Sequence, residues 1–250
     1  MPKERADTLV FQQGLCESRE QAKRLIMAGE VFWGKEQCCA SPRPVDKPGQ
    51  FFPLDTCFFL REAERFVSRG AYKLLTILEH CHLDVRGYVC LDAGASTGGF
   101  TDCLLQHGAS RVYAIDVGHN QLHEKLRRDE RVISHEGVNL RNPPPDLLPE
   151  PVDLLVCDVS FISLTLILPP CLQWLKKEGL VAVLIKPQFE LGPKETVRGV
   201  VRDEGARRRA CEKIVTFSRD ELGLSCQALL PAKVKGPKGN QEFMALFRRG

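Results

Sequence analysis

The run "CLDAGASTGGFTDCLL" at residues 90–105 passes from an apolar stretch through a glycine-containing turn into a helical pattern. This order is typical of the first strand, turn and helix of a doubly wound α/β domain. In such domains the turn at the carboxyl end of the strand lets the backbone approach a nucleotide-like ligand. The run therefore predicts both a parallel sheet and a ligand site at one edge of it.

The rest of the chain after residue 86 continues this alternation. We predict strands at 88–94, 111–118, 132–137, 152–161 and 180–189, with helices between them and a helical crossover at 163–179. "LSCQALLPAKVKG" (224–236) and "QEFMALFRR" (241–249) would close the sheet as an antiparallel hairpin. Apolar strands without strict alternation favour a mostly parallel sheet that is covered on both faces. The prediction is a Rossmann-like α/β sheet with an antiparallel C-terminal strand.

The residues around the turn limit the kind of ligand. Asp116, in "AIDVG", follows Gly94 at the spacing of an acid that accepts hydrogen bonds from ribose hydroxyls. Ser96 stands where a dinucleotide fingerprint has its second glycine, which disfavours NAD. A Walker-type phosphate site is excluded because no Lys-Ser/Thr pair follows the turn. Adenosine without phosphate fits better, so we expect S-adenosylmethionine.

The predicted cofactor site extends along the turn and beyond it. Val117 would line the adenine, and Asn139 would contact its edge, while Asp92 would bond turn amides or the ligand's ammonium group. In the alternative interpretation, Gly98 and Gly99 only permit close packing of the helix on the strand. The predicted cofactor-binding residues are Asp92, Gly94, Ala95, Ser96, Thr97, Gly98, Gly99, Asp116, Val117, Asn139 and Asp158.

Two kinds of methyl acceptor are disfavoured. Enzymes that methylate base amines carry an Asn/Asp-Pro-Pro-aromatic motif after the fourth strand, where this chain has "CDVSFISL". Attack on a cytosine carbon needs a thiolate in the pocket. Strand alternation turns Cys157 away from the Asp158 side, so we expect Cys157 in the core.

Two charged residues end apolar runs of predicted strands, and two more lie elsewhere in the chain. Asp158 ends "LLVCD" and Lys186 ends "VAVLIK", while Lys73 lies in "SRGAYKLL" and Glu242 in "GNQEFMALF". Buried Asp and Lys are rarely unpaired, so a structural ion pair is the default interpretation for two such residues.

The first sixty residues predict a separate small domain. "RADTLVFQQG" and "ESREQAKRLIMAGEV" indicate two short helices, the second capped by Ser18 with Gln21 and stopped by Gly29. "EVFWG" and "GQFFPL" indicate short strands. Arg19, Lys23 and Arg24 project away from the apolar face of the second helix, and charge alone favours a solvated face.

Taken together, these motifs resemble a known family. Lys73, Asp158, Lys186 and Glu242 match, in chain order, the K-D-K-E tetrad of FtsJ-like ribose 2′-O-methyltransferases. "SRGAYKL", "LDAGASTGGFTD", "DVSFISL", "KPQFE" and "GNQEF" resemble the TlyA family, which joins an S-four-type RNA-binding domain to such a methyltransferase domain. The resemblance implies S-adenosylmethionine as cofactor and the ribose 2′-hydroxyl of cytidine in ribosomal RNA as acceptor. The family has also been called haemolysins.

The resemblance also implies roles for the four residues. Lys186 would accept the proton or act as base, and like-charge repulsion from Lys73 would favour its neutral form. Asp158 would orient Lys186, and Glu242 would orient Lys73 or the acceptor ribose. Two alternatives stay open: Lys73 could take the proton, or positioning alone could suffice.

Basic residues would bind the RNA. Any one of them, taken alone, is more often a solvated charge than an RNA contact. The predicted RNA contacts are Arg5, Arg19, Lys23, Arg24, Arg65, Arg69, Lys233, Lys235 and Lys238, with Arg207, Arg208 and Arg209 as further candidates. We predict an RNA-binding domain at 1–60, a linker and helix at 61–84, and the methyltransferase domain at 85–250.

Composition limits the remaining classes of protein. The net charge of +3 by itself indicates nothing about nucleic acid, and the longest apolar run, "LVAVLI", is too short for a membrane span. Eleven cysteines without a C-x-x-C pair, and a start that does not resemble a signal peptide, favour a reducing cytoplasm. We expect no metal, although His80, Cys81 and His82 cluster. The rivals are a membrane-active haemolysin and a non-catalytic module that binds the cofactor and RNA.

Overall fold

The computed structural model describes residues 2–34, 43–60, 65–192 and 195–250. The chain divides into two compact units, Met1–Arg65 and Phe66–Gly250. Residues 35–42, which include Cys38 and Cys39, lie outside the described residues, and so do 61–64 of the predicted linker.

The first unit is a small α+β structure. It contains β1 (Lys3–Arg5), α1 (Ala6–Gln12), α2 (Arg19–Met27), β2 (Val31–Gly34), β3 (Arg43–Pro44), β4 (Phe51–Pro53) and β5 (Cys57–Leu60). β1 pairs with β4, and a second antiparallel sheet has the order β3-β2-β5. Apolar residues of both helices pack with Val31, Phe52 and Phe58 into one core.

Local hydrogen bonds explain where α2 begins. Ser18 Oγ accepts from the Gln21 backbone N–H at 3.2 Å, which satisfies one of the unpaired donors of the first turn. The Gln21 side chain accepts in return from the N–H of Glu17, one residue before the cap. The predicted cap is therefore confirmed. The Gln21 side chain, however, bonds the N–H of Glu17 instead of the N–H of the cap residue Ser18. Gly29, at φ +72°, follows the helix end as predicted.

The second unit alternates helices and strands. It contains α3 (Ala71–His80), β6 (Val89–Ala93), α4 (Gly99–Gln106), β7 (Arg111–Asp116), α5 (Glu124–Arg127), β8 (Val132–Glu136), β9 (Val152–Cys157), α6 (Leu164–Cys171), β10 (Leu175–Ile185), α7 (Pro187–Glu190), α8 (Glu204–Asp220), β11 (Leu224–Pro231) and β12 (Phe243–Arg249).

These strands form one sheet with the order β11-β12-β10-β9-β6-β7-β8. The five strands from β10 to β8 run parallel, whereas β12 is antiparallel to both β10 and β11. The predicted sheet with its antiparallel C-terminal hairpin is confirmed. Because β7 and β9 lie on opposite sides of β6, the chain reverses its direction of winding there, and a crevice opens at the carboxyl ends of β6 and β9.

Successive residues of the central strands enter opposite cores. In β9, Leu154 and Val156 pack with α3 and α4 residues such as Leu74 and Leu104. Leu155 and Cys157 face the other core, which α6 and α8 cover. Both faces of the sheet are therefore buried, which is why its strands are apolar without strict alternation.

The structure gives the bounds of two predicted helices. The helix expected with a linker at 61–84 is α3, which begins at Ala71 after bends and a turn at 65–70. The crossover predicted as helical to residue 179 leaves the α conformation after Cys171, and β10 begins at Leu175. Pro169 and Pro170 lie inside α6 and cannot donate to its hydrogen-bond ladder, which shortens the helix.

Candidate functional site

The turn after β6 lies against the end of β9. The Asp158 N–H donates to the Ala93 carbonyl at 3.0 Å, so the two chain segments leave the sheet side by side. Gly94 has φ +84°, and a Cβ added there would lie 2.7 Å from the Asp158 carbonyl oxygen. Both the backbone conformation and the close approach require glycine at this position.

Asp116 holds the turn through backbone hydrogen bonds. Its Oδ2 accepts from the Ser96 N–H at 2.8 Å, and its Oδ1 accepts from the Gly118 N–H at 2.7 Å. Ser96 Oγ donates to Gln121 Oε1 at 3.1 Å, a contact that sequence analysis missed because nothing in the pattern singles out Gln121. The Asp116 carboxylate, which we predicted to accept hydrogen bonds from ribose hydroxyls, is thus fixed beside the turn.

Two adjoining cavities open at this edge of the sheet. The first measures about 170 Å³ and the second about 490 Å³. Both are lined by Gly94, Ser96, Asp158 and Ser160. The first is also lined by Asp92, Ala95, Thr97, Gly99 and Lys186, and the second by Asp116, Val117 and Asn139.

Gly98 differs from the other predicted cofactor residues, since it lines neither of these cavities. It has φ +91°, and an added Cβ would lie 2.8 Å from Leu122 Cδ1. The positive φ and the contact with Leu122 explain why a glycine stands at this position. Gly99 lines the first cavity, but an added Cβ would also lie 3.0 Å from the Ala71 nitrogen, so packing constrains it as well.

Asp92 is fully buried beside the first cavity. Its Oδ2 accepts from Thr101 Oγ1 at 2.7 Å, whereas its Oδ1 receives no hydrogen bond from any residue that the structure describes. Burial, together with the nearby Asp158 carboxylate, raises the pKa of Asp92 to about 7. An unpartnered buried acceptor at a cavity wall fits a ligand that brings a donor or a positive charge.

The four residues of the tetrad lie at the same edge as two ion pairs. Lys186 Nζ lies 2.6 Å from Asp158 Oδ1, and Lys73 Nζ lies 2.7 Å from Glu242 Oε2. Asp158 and Lys186 follow the parallel neighbours β9 and β10. Since β12 is antiparallel to β10, its start brings the fully buried Glu242 to this edge, where it meets the first turn of α3.

Further polar contacts complete the arrangement. Lys186 Nζ donates to Ser160 Oγ at 2.8 Å, and Gln188 Nε2 donates to Glu242 Oε1 at 3.3 Å. Ser68 and Gly70 line the first cavity, ahead of α3. Sequence analysis singled out none of these. The buried thiol of Cys157, whose pKa burial raises well above its ordinary value, lies in the second core as expected.

The predicted RNA contacts differ in their partners. Within the described residues, several pair with acids: Arg5 and Arg19 with Asp7, Lys23 with Glu20, Lys233 with Glu79, Arg208 with Glu212, and Arg209 with Glu195. Arg207 bonds the carbonyls of Val201 and Arg202. Arg65 is exposed. Arg24, Arg69, Lys235 and Lys238 are exposed and form no ion pair with any described residue.

The described part of the chain contains neither a cluster of metal ligands nor a membrane-spanning helix. None of the described His, Cys, Asp and Glu side chains form a group of three or more that could hold a metal ion. No described helix combines the length and the apolar character that crossing a bilayer requires.

Comparison with known proteins matches both units. The model of the FtsJ-like methyltransferase family matches residues 66–249, and the model of the S4 domain matches residues 4–36. At the level of fold, the second unit resembles Aeropyrum pernix fibrillarin, a protein crystallised with bound S-adenosyl-L-methionine. The TM-score is 0.51 at 17% identity, covering 73% of this chain and 75% of that one.

Relatives match over nearly the whole chain. The 16S/23S rRNA (cytidine-2′-O)-methyltransferase TlyA of Mycobacterium tuberculosis is 39% identical over 98% of this chain and 89% of its own length. Hemolysin A of Brachyspira hyodysenteriae is 36% identical over 97% of this chain and 99% of its own length. The resemblance inferred from the sequence motifs is confirmed: the chain belongs to the FtsJ-like methyltransferase family, with an S4 domain ahead of the methyltransferase domain.

Proposed function

We propose that this chain transfers a methyl group from S-adenosylmethionine to the ribose 2′-hydroxyl of cytidine in ribosomal RNA. The observation that carries the proposal is the Lys186–Asp158 pair in the cavity walls, with the Lys73–Glu242 pair at the same carboxyl edge of the sheet. The rRNA (cytidine-2′-O)-methyltransferase activity of the TlyA relative supports the acceptor. We propose the cytoplasm, where ribosomal subunits are made, as the place of action.

The residues that line the cavities suit the cofactor. Asp116, held beside the turn, would accept hydrogen bonds from the ribose hydroxyls in the larger cavity, and Val117 and Asn139 would contact the adenine. Asp92, with its unpartnered oxygen, would face the methionine end through the smaller cavity. When bound, S-adenosylmethionine supplies an activated methyl group on a sulfonium centre.

The tetrad would position the acceptor and handle its proton. Lys186 lines the smaller cavity and would contact the 2′-hydroxyl, as proton acceptor or as hydrogen-bond donor. Asp158 would hold Lys186, and the buried Glu242 would hold Lys73. Holding the hydroxyl in line with the methyl group accounts for much of the barrier reduction, because positioned reactants react as if at high concentration.

Binding of RNA would involve both units. A target cytidine in a helix has to be flipped out of the stack, which costs a few kcal/mol that backbone contacts offset. We propose residues 1–60 as an RNA-binding domain, 61–84 as the connection and 85–250 as the catalytic domain. Arg69 stands between Ser68 and Gly70, which both line the smaller cavity, so we propose it as a phosphate contact beside the reacting ribose.

The test is transfer of tritiated methyl groups from S-adenosylmethionine to purified ribosomal subunits, with Lys186→Ala beside the wild type. We expect label in the RNA of at least one subunit and loss of that label in the variant. Binding of S-adenosylmethionine by both proteins is measured in parallel. Wild-type protein that binds the cofactor but labels neither subunit would refute the proposed acceptor.

A further inference from the structure

The amine of Lys186 lies beside two partners, an anion and a hydroxyl. A lysine nitrogen is tetrahedral, with one bond to Cε and three positions for hydrogen atoms or a lone pair. Asp158 Oδ1 lies 2.6 Å away on one side, and Ser160 Oγ accepts a hydrogen bond at 2.8 Å on another. The hydrogen bond to Ser160 occupies one position, whereas Asp158 lies on another side without hydrogen-bond geometry. Since Lys186 lines the smaller cavity, a position directed away from both partners is available to a ligand there.

The two partners of Lys186 act differently. The approach to Asp158 is short but off the line of a hydrogen bond, so it is mainly an attraction of charges. The contact with Ser160 satisfies hydrogen-bond geometry, which depends on angle as well as distance. A charge attraction keeps the amine nearby, whereas a directed hydrogen bond fixes how the amine is rotated about its bond to Cε.

The loop that carries Ser160 is fixed at both ends. At its start, the Asp158 N–H is bonded to the Ala93 carbonyl. At its end, Glu190 accepts from Ser163 Oγ at 2.6 Å and from the Leu164 N–H at 2.8 Å. Between them Phe161 adopts φ +64°, a left-handed conformation that is rare for a bulky residue.

We propose that Ser160 is a positioning residue that aims the available position of Lys186 Nζ at the acceptor hydroxyl. The proposal rests on the function proposed above. It holds for either protonation state of Lys186, because an ammonium group would direct an N–H, and a neutral amine its lone pair, into the same cavity. Ser160 thereby extends the tetrad by a hydroxyl that lies in the run "DVSFISL" but matches no member of the K-D-K-E set.

The test compares Ser160→Ala, Ser160→Thr and wild type in methyl transfer to purified ribosomal subunits. Ser225→Ala, which removes an exposed β11 hydroxyl bonded to the Arg248 carbonyl, is the matched control. We expect Ser160→Ala to lower kcat about tenfold, the effect of losing one hydrogen bond to a charged group. KM for the subunit and the dissociation constant for S-adenosylmethionine should stay within about twofold of wild type, a factor that is small beside tenfold.

Rescue separates positioning from structure. Ser160→Thr keeps the hydroxyl and should restore most of kcat, and Ser225→Ala should match wild type. The inference is overturned if Ser160→Ala keeps the wild-type kcat, if its whole effect lies in cofactor affinity or thermal stability, or if Thr is as inactive as Ala. Wild-type protein without methyl transfer to either subunit would instead refute the proposed function, and this inference with it.

Discussion

Lys186 Nζ lies 2.6 Å from Asp158 Oδ1, at the carboxyl ends of the neighbouring parallel strands β10 and β9. The lysine is almost entirely buried, and the carboxylate lies between the two cavities. A pair in this place costs desolvation and adds little net stability. Its position at the winding reversal of the sheet is better explained by chemistry at the cavities.

The second pair makes a prediction about stability. Glu242 is fully buried and Lys73 nearly so, and they are 2.7 Å apart. Lys73→Met leaves a buried carboxylate without its cation, so we expect a loss of about 3 kcal/mol in the free energy of unfolding. Lys73→Met combined with Glu242→Gln should cost less than the sum of the two single changes. Urea denaturation of the four proteins measures this, and strict additivity would contradict the coupling.

The turn after β6 predicts different outcomes for two glycines with positive φ. Gly94→Ala would bring a Cβ to 2.7 Å from the Asp158 carbonyl, whereas an added Cβ at Gly223 meets nothing within 4 Å. We expect Gly94→Ala to abolish binding of S-adenosylmethionine in calorimetry. Gly223→Ala should keep wild-type affinity and lose only about 1 kcal/mol of stability, the cost of its backbone conformation. Equal affinity in the two variants would show that the turn does not shape the site.

Asp92 predicts a pH dependence of stability. Its pKa is about 7 in the folded protein, whereas an unfolded aspartate ionises at about pH 4. Over this window the folded state binds more protons, so the contribution of Asp92 to the free energy of unfolding falls as pH rises from about 4 to about 7.

Asp92→Asn removes this titration. As pH rises across that window, wild type should therefore lose a few kcal/mol of unfolding free energy relative to the variant. Denaturation curves without cofactor, at a series of pH values, measure it. A difference that stays constant with pH would mean that Asp92 ionises normally in the folded protein.

The exposed cations without described ion-pair partners predict how the protein binds RNA. Arg24→Ala and Arg69→Ala should each weaken subunit binding and reduce the slope of log K against log salt by about one. Arg128→Ala is the matched control, because Arg128 is exposed and paired with Glu124. Binding titrations at several salt concentrations give the slopes. Slopes equal to those of Arg128→Ala would remove the two arginines from the interface.

Part of this site was predictable from the sequence because strand periodicity is local. Asp158 and Lys186 end apolar runs, so their place at the carboxyl edge followed from the pattern. Lys73 and Glu242 were recognised only by the resemblance to a family, since one lies in a helix and the other before an antiparallel strand. Which lysine meets which carboxylate depends on strand order, which the sequence does not show.

The missed elements have tertiary causes. Ser160 and Gln121 are ordinary polar residues whose roles depend on a partner more than twenty positions away. The crossover helix was predicted too long because its apolar residues continue past Pro169 and Pro170 into β10, so that periodicity did not mark the boundary. Gly98 was given two interpretations, ligand binding or close packing, and the sequence did not show that Leu122 and Leu126 lie where its side chain would be.

The most direct test of the central claim is an alkaline-cleavage map of ribosomal RNA from subunits treated with the protein and S-adenosylmethionine. Alkaline cleavage uses the ribose 2′-hydroxyl, so a methylated nucleotide resists it. We predict new resistance at cytidine with wild-type protein and none with Lys186→Ala. Incorporated methyl label without any new resistant position would place the methyl group on a base and contradict the account.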